Sequence, residues 1–181
     1  IRRTVQLSRL FEAARFLPLR GNVDTRLRKL DEGFDAIVLA AAGLKRLGRA
    51  DEATELLDPL QILPAPGQGA LACECRADDG ATAHILAVLD DAETRSAVTA
   101  ERSLLATLEA GCSAPVGALA EVAHGDDGDE LWLRAVVGST SGSPTIRLSA
   151  TGLPSEAAAV GERLAAEMLA EGADTLVSVA S

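Results

Sequence analysis

A single thiol, Cys112, lies in a run of small residues, EAGCSAPVG at residues 109–117. Apolar side chains recur at helical spacing over residues 94–108, and Gly111 and Pro115 then predict the end of that helix, with Gly111 at its C-cap. The thiol is therefore expected on irregular backbone just beyond a helix, where a core cysteine is less expected. A lone cysteine is weak evidence, so the residues favour an ordinary buried cysteine and keep a reactive or covalently modified thiol as the alternative.

Basic side chains concentrate in the first quarter of the chain. Residues 1–46 carry ten Lys and Arg against five Asp and Glu, a formal charge of +5, whereas the remainder carries −15. Arg20 and Arg26 flank a glycine turn that opens a helix, and Arg46 follows an apolar run. Guanidinium groups and helix amides suit carboxylate oxygens, so these three arginines are expected to converge on a small polyanion. A solvated basic helix face is the alternative.

The remaining cysteines and histidines have weaker patterns. Cys73 and Cys75 lie two residues apart and would share one face of a strand, but no second Cys or His pair completes a metal site. A buried core pair is therefore the preferred interpretation. His84 and His124 have no nucleophile or carboxylate at a telling spacing and are expected to be structural or exposed.

Composition excludes several classes of protein. The 181 residues are 48% hydrophobic, enough to bury a core, and contain three Phe, one Trp and no Tyr, which argues against a stacking surface for nucleic acid. The net charge of −10 also disfavours general nucleic-acid binding. No apolar run reaches ~18 residues and no leader peptide opens the chain, so we expect no membrane span. Three cysteines without a leader predict reduced thiols and a cytoplasmic location.

Periodicity and turn residues predict the elements that position these side chains. Helices are expected at residues 2–16, 22–30, 43–47, 94–108 and 155–170. Short extended runs are expected at residues 16–19 and 60–63, a buried parallel strand at 34–41 and a strand at 70–76. Three further segments predict an antiparallel meander: residues 116–123, 131–138 and 145–150. Two prolines and two glycines within residues 64–69, called here the hinge segment, predict a hinge.

Several motifs, in order, resemble the C-terminal part of the porphobilinogen deaminase (hydroxymethylbilane synthase) family. The resemblance covers essentially the whole chain. It is carried by Arg2-Arg3 with Gln6-Leu7, RGNVDTRLRKL at residues 20–30, FDAIVLAAAGLKRLG at 34–48, LPAPGQGALACECR at 63–76, TAERSLLATLEAGCSAPVGALAE at 99–121 and LWLRAVVG at 131–138.

The resemblance implies a mixed α/β and α+β fold in three parts. Residues 1–63 would form part of a central α/β domain, like that of a periplasmic binding protein, that is basic and binds anions. Residues 64–90 would contain the hinge and a segment returning to a first domain. Residues 91–181 would form a small C-terminal α+β domain, with a three-stranded antiparallel sheet and helices, that carries the cofactor cysteine.

The family's reaction is implied too: stepwise condensation of four porphobilinogen units, with release of ammonia, in tetrapyrrole (porphyrin, haem) synthesis. The loop cysteine, Cys112, would carry a dipyrromethane cofactor through a thioether. By position, Arg2, Arg3 and Arg26 resemble the family's cofactor-binding arginines. The substrate path would include Arg20, Arg26, Arg46 and Gln68. Each pyrrole unit bears an acetate and a propionate, which explains a need for arginines.

One feature of the family pattern does not occur in this sequence. The family's catalytic aspartate belongs to an N-terminal segment that would precede Ile1, together with most of a first domain. The 181 residues alone are therefore expected to be inactive, with that domain as a partner and with residues 70–76 exposing an apolar face. A carboxylate-binding module without catalysis and a purely structural fragment are the alternatives.

Overall fold

The computed structural model describes residues 1–111, 114–126, 128–139 and 143–178. These residues form two compact units. The first contains Ile1–Glu12 and Pro59–Ser181, and the second contains Ala13–Asp58. None of the helices within the described ranges is long and apolar enough to cross a membrane.

A three-stranded antiparallel sheet is the centre of the first unit. Its strands are β1 (Val116–Gly125), β2 (Gly128–Gly138) and β3 (Thr145–Gly152), in the spatial order β1-β2-β3. Val116 pairs with Val137, and Leu131 pairs with Gly152. The predicted meander and the mixed fold class are thus confirmed, with each strand slightly longer than expected.

Two helices pack together on one face of this sheet: α5 (Ala92–Thr107) and α6 (Ala157–Ala170). In the middle of β2 the buried Leu131 and Leu133 alternate with the more exposed Trp132 and Arg134, as in a half-buried sheet, whereas the start of β1 and the end of β2 are buried throughout. The resulting core includes Leu104, Ala118, Leu131, Leu133, Val160, Leu164 and Met168. At Gly161 the helices approach so closely that an added Cβ would lie 2.3 Å from the Ala100 carbonyl oxygen.

The end of α5 differs from its predicted cap. The helix ends at Thr107 with Leu108 as C-cap, and Glu109 adopts a positive φ of 50°. The Leu108, Glu109 and Ala110 amides donate to carbonyls of the last turn, so those acceptors are satisfied before Gly111 is reached. The prediction of Gly111 as the cap was therefore wrong by a few residues.

The opposite face of the sheet is covered at one end by α1 (Arg2–Leu7). Val5 is fully buried, and a Cβ on Gly138 would lie 2.3 Å from its Cγ1. Beyond Leu7 the chain leaves the helix, although the sequence predicted helix to residue 16. Leu10 and Phe11 are about half exposed, so the remaining apolar stripe lacks the packing that sustains a short helix.

The segment after the hinge also differs from prediction. Residues 70–76 form no strand, and Cys73 and Cys75 are exposed free thiols rather than a buried pair. Within the described ranges no neighbouring strand pairs with this segment, and an extended segment needs such a partner to become part of a sheet. The chain continues into α4 (Gly80–Leu86), and α7 (Ala173–Ser178) follows α6 later in the chain.

The second unit contains α2 (Val23–Arg28) and α3 (Ala41–Arg46). The Asn22 side chain caps α2 by accepting from the Thr25 amide at 2.8 Å. Gly33, with φ of 98°, ends the helical turn that follows. The expected strand at residues 34–41 and the extended run at 16–19 are irregular, since no strand pairs with either among the described residues.

Candidate functional site

The backbone on either side of Cys112 is held by described contacts, while Cys112 and Ser113 themselves lie outside the described residues. The Ala114 amide donates to the Gly111 carbonyl at 3.0 Å. Two residues later β1 begins at Val116, whose carbonyl accepts from Arg2 Nε at 2.5 Å. Arg2 is therefore anchored to the start of the strand that follows the cysteine loop. Arg3, its neighbour on α1, is exposed.

Gln6 joins the same helix to the residue just before the hinge segment. Its side chain is only 5% exposed. Nε2 donates to the Leu63 carbonyl at 3.0 Å, and Oε1 accepts from the Leu63 amide at 2.8 Å. One amide side chain thus satisfies both backbone groups of a buried residue.

Glu101 holds the hinge segment from α5. Its carboxylate is also 5% exposed, accepting from the Gly67 amide at 2.5 Å and from the Ala120 amide at 2.8 Å. Burial raises the pKa of Glu101, and the two backbone hydrogen bonds oppose that rise. The carboxylate therefore joins α5, β1 and the hinge segment.

Gln68 follows this anchored part of the hinge segment. Its side chain is exposed, while its amide donates to the Ala65 carbonyl at 3.1 Å. The Ala118 amide donates to the Pro64 carbonyl at 3.0 Å, which ties the first proline to β1 as well. Hinge motion at residues 64–69 stays a prediction, but the structure fastens the first part of the segment.

The second unit contains the other predicted arginines. Arg26 Nε donates to the Gly21 carbonyl at 2.8 Å, across the turn that opens α2. Arg20 and Arg46 are exposed. Arg26 is thus held against the turn that follows Arg20, whereas Arg46 lies at the end of α3.

Arg49 is neutralised by acids of its own unit. Its guanidinium contacts Asp24 and Glu52, with Nη2 to Glu52 Oε2 at 2.7 Å. Hydrogen bonding to Glu52, and then to Asp24, raises the pKa of Arg49. Arg49 therefore serves as an internal ion-pair partner, unlike exposed Arg20 and Arg46.

The histidines and thiols give no metal centre in the described part of the chain. No group of three or more His, Cys, Asp or Glu side chains there is arranged to hold a metal ion. His84 is exposed, and His124 lies at the tip of the β1–β2 hairpin with its Nδ1 2.7 Å from Asp129.

Comparison with known proteins identifies the family. Residues 1–84 match the family model described as porphobilinogen deaminase, dipyromethane cofactor binding domain. Residues 96–170 match the model described as porphobilinogen deaminase, C-terminal domain. The chain belongs to the porphobilinogen deaminase family.

Curated porphobilinogen deaminases from Mycolicibacterium and Mycobacterium support the same assignment. The chain is 55% identical to that of Mycolicibacterium gilvum (strain PYR-GCK), over 97% of this chain and 58% of the relative. It is equally identical to those of Mycobacterium avium (strain 104), over 98% and 58%, and Mycobacterium tuberculosis (strain CDC 1551 / Oshkosh), over 97% and 59%. The chain thus spans somewhat less than three-fifths of the length of these porphobilinogen deaminases.

The family match covers every predicted site residue, but the structure divides them. Arg2, Arg3 and Gln68 lie in the first unit. Arg20, Arg26 and Arg46 lie in the second. Their assigned roles, and that of Cys112, remain predictions.

Two side chains that anchor the site were missed as functional candidates by sequence reasoning. Gln6 and Glu101 appeared only inside quoted family motifs, because a single polar residue on a helix is usually exposed. For Glu101 the available signal was helical spacing, because Ala97, Leu104 and Leu105 lie three or four positions away on the same helix face. For Gln6 the sequence offered no such signal, since Arg2, Arg3 and Arg9 occupy the corresponding positions.

Proposed function

We propose that this chain is part of a porphobilinogen deaminase, a transferase that condenses four porphobilinogen units and releases ammonia at each step. The observation that carries the proposal is the match to two domain models of this one family, in the family order, together with 55% identity to curated relatives. Porphobilinogen and oligopyrrole polycarboxylates are then the ligands. The net charge of −10 supports neither nucleic acid nor an anionic membrane surface as a partner.

Cys112 is proposed as the attachment point of a dipyrromethane cofactor. Loss of ammonia from porphobilinogen leaves an electrophilic methylene carbon, to which a thiolate adds. In this step the C–N bond of porphobilinogen breaks, a C–S bond to Cys112 forms, and the thiol proton leaves with ammonia. The bound cofactor would supply the pyrrole end to which further units are joined.

The chain's donor groups fit a carboxylate-rich cofactor and substrate. Arg2 is anchored at Val116, four residues after Cys112 along the chain. We assign Arg2, Arg3 and Arg26 to cofactor carboxylates. We assign Arg20, Arg26, Arg46 and Gln68 to substrate carboxylates. Arginine forks bind acetate and propionate groups through paired N–H donors, which orients the ligand as well as neutralising it.

A further segment is proposed to supply the catalytic aspartate that the family uses. The chain spans 58% of the Mycolicibacterium gilvum relative. Leu71 is 95% exposed and Val88 82% exposed, and Ile85 and Leu89 are also mostly exposed. A covering segment of the longer protein would bury these side chains. Function in the reducing cytoplasm is consistent with the free thiols of Cys73 and Cys75.

Incubation with porphobilinogen, followed by intact-protein mass spectrometry and a bilane assay, tests the proposal. We expect pyrrole units to be added to the wild-type chain at Cys112, no addition at that position in Cys112→Ser, and no bilane turnover by the 181 residues alone. An unmodified mass would contradict the role of Cys112. Normal turnover would contradict the need for an aspartate from a further segment.

A further inference from the structure

We propose that Glu101 is a positioning residue that fixes the first part of the hinge segment against β1 and thereby sets where Gln68 is presented. Glu101 lies on α5, 33 positions after Gln68 in sequence, and has no assigned role in the proposed reaction. The inference rests on the proposed function only for the role of Gln68 in binding substrate. The fastening of the hinge segment stands on geometry alone.

The two oxygens of one carboxylate hold two separate pieces of backbone. Oε2 accepts from the Gly67 amide at 2.5 Å, and Oε1 accepts from the Ala120 amide at 2.8 Å. Gly67 has a φ of 73°, a left-handed conformation that other residues adopt at a cost. The hydrogen bond therefore stabilises the residue of the hinge segment that has a left-handed backbone conformation.

The partners of Glu101 favour an ionised carboxylate. Both are N–H donors, and within the described part of the chain no Lys or Arg forms an ion pair with it. A glutamine has one acceptor oxygen, and its amide nitrogen would face the second backbone N–H. The buried carboxylate thus satisfies both amides because each of its two oxygens accepts a hydrogen bond, even though burial disfavours its charge.

Other contacts extend the fastened part to the backbone of Gln68, whose amide donates to the Ala65 carbonyl at 3.1 Å. Gln6 binds both backbone groups of Leu63, and the Ala118 amide binds the Pro64 carbonyl. Glu101 completes the set at Gly67, whereas Gln68 and Gly69 are exposed. Freedom of the backbone is therefore expected to begin after the Gln68 amide, and Glu101 holds Gly67, the residue directly before it.

Amide NMR of the full 181-residue chain tests the fastening directly. The amide proton signals of Gly67 and Ala120 should titrate together, with a common midpoint above that of an ordinary glutamate. In Glu101→Gln that joint titration should vanish, and hydrogen exchange at one of the two amides should accelerate about tenfold or more. Independent titration of the two amides, or unchanged exchange in the variant, would overturn the proposal.

A matched variant separates positioning from general loss of structure. Glu162→Gln makes the same change at an exposed position on α6 and should leave both amide signals as in wild type. Unfolding curves of both variants show whether the sheet and core remain intact. If Glu101→Gln perturbs the Gly67 and Ala120 amides no more than Glu162→Gln does, Glu101 has no positioning role.

Binding of porphobilinogen then tests the link to Gln68. Gln68→Ala and Glu101→Gln should each weaken binding about fivefold, and the double variant should be no weaker than either, because both changes remove the same contact. Additive losses would overturn the positioning of Gln68 by Glu101. If wild type does not bind porphobilinogen while the paired amide titration is present, the proposed function fails and the fastening by Glu101 stands.

Discussion

Gln6 and Glu101 are the buried polar side chains of the described residues, and both are used on the backbone of residues 63–67. Proline at residues 64 and 66 removes two backbone donors, so this segment cannot satisfy itself by regular secondary structure. Side chains from α1 and α5 supply the missing partners. This pairing was unpredictable from sequence because it joins residues 57 and 34 positions apart.

Removing the Gln6 amide should destabilise the chain strongly. Gln6→Ala leaves the buried N–H and C=O of Leu63 without partners, and we expect a loss of about 2 kcal/mol or more in the free energy of unfolding. Urea denaturation measures the change. Gln61→Ala is the matched control, since Gln61 is exposed. Equal, small effects of the two substitutions would contradict a stabilising role for the buried hydrogen bonds between Gln6 and Leu63.

The histidine at the hairpin tip should make stability depend on pH. Asp129 on β2, and Glu93 on α5 at 3.4 Å, face His124, and the hydrogen bond to Asp129 is the main cause of its raised pKa. Because folding raises the pKa of His124, the stabilisation by its charged imidazole is fully present below the unfolded pKa of 6.5. That stabilisation is lost as pH rises through the pKa of the folded state.

Thermal unfolding of wild type and His124→Asn at about pH 5.5 and about pH 8.5 checks this sign. The variant should be less stable than wild type mainly at the lower pH, and the two should converge at the higher pH. The same replacement at exposed His84 is the control. A larger difference at the higher pH would show that the charged imidazole is not the stabilising form.

Among the elements, those defined by local patterns were predicted best. The strands of the meander and helices α5 and α6 follow from periodicity and turn residues that lie within each segment. Residues 34–41, from an apolar run, and residues 70–76 were both predicted as strands from their own sequence. A strand exists only when another strand pairs with it, and the described residues provide none there. The arginines could likewise be chosen from the sequence as candidate ligand-binding residues, whereas their division between the two units could not be predicted.

The contact between α5 and α6 should have no room for a methyl group at position 161. Helix propensity alone predicts that Gly161→Ala stabilises the chain by about 1 kcal/mol. The new Cβ would instead lie 2.3 Å from the Ala100 oxygen and 2.8 Å from the Leu104 nitrogen, so we expect a loss of about 1–3 kcal/mol. Calorimetry distinguishes the two signs. Gly80→Ala, where nothing lies within 4 Å, is the control, and a gain at both sites would refute the close contact.

Across the whole molecule, charge and exposed apolar surface are unevenly distributed. The basic residues concentrate in residues 1–46 of an otherwise acidic chain. Exposed Leu71, Ile85, Val88 and Leu89 lie between the hinge segment and α5. The sequence indicated the charge asymmetry and, through the family resemblance, the exposed segment. It could not indicate how exposed each side chain is, because exposure depends on the whole chain.

Replacing one of these apolar side chains by an acid should improve solution behaviour without a loss of stability. Val88 is 82% exposed, so Val88→Asp should change the free energy of unfolding by less than about 0.5 kcal/mol. It should also raise the monomer fraction in sedimentation velocity experiments. Val160→Asp, at a fully packed core position, is the contrasting variant and should unfold the chain. A large destabilisation by Val88→Asp would show that this side chain is packed.

The docking of α1 has a consequence for synthesis on the ribosome. Val5 packs against Gly138, and Arg2 and Gln6 bind residues 116 and 63, so α1 can complete its contacts only after these later residues have emerged. Residues 13–58 are complete well before that moment and can collapse first. During synthesis α1 therefore lacks its β2 partner until that strand has left the exit tunnel.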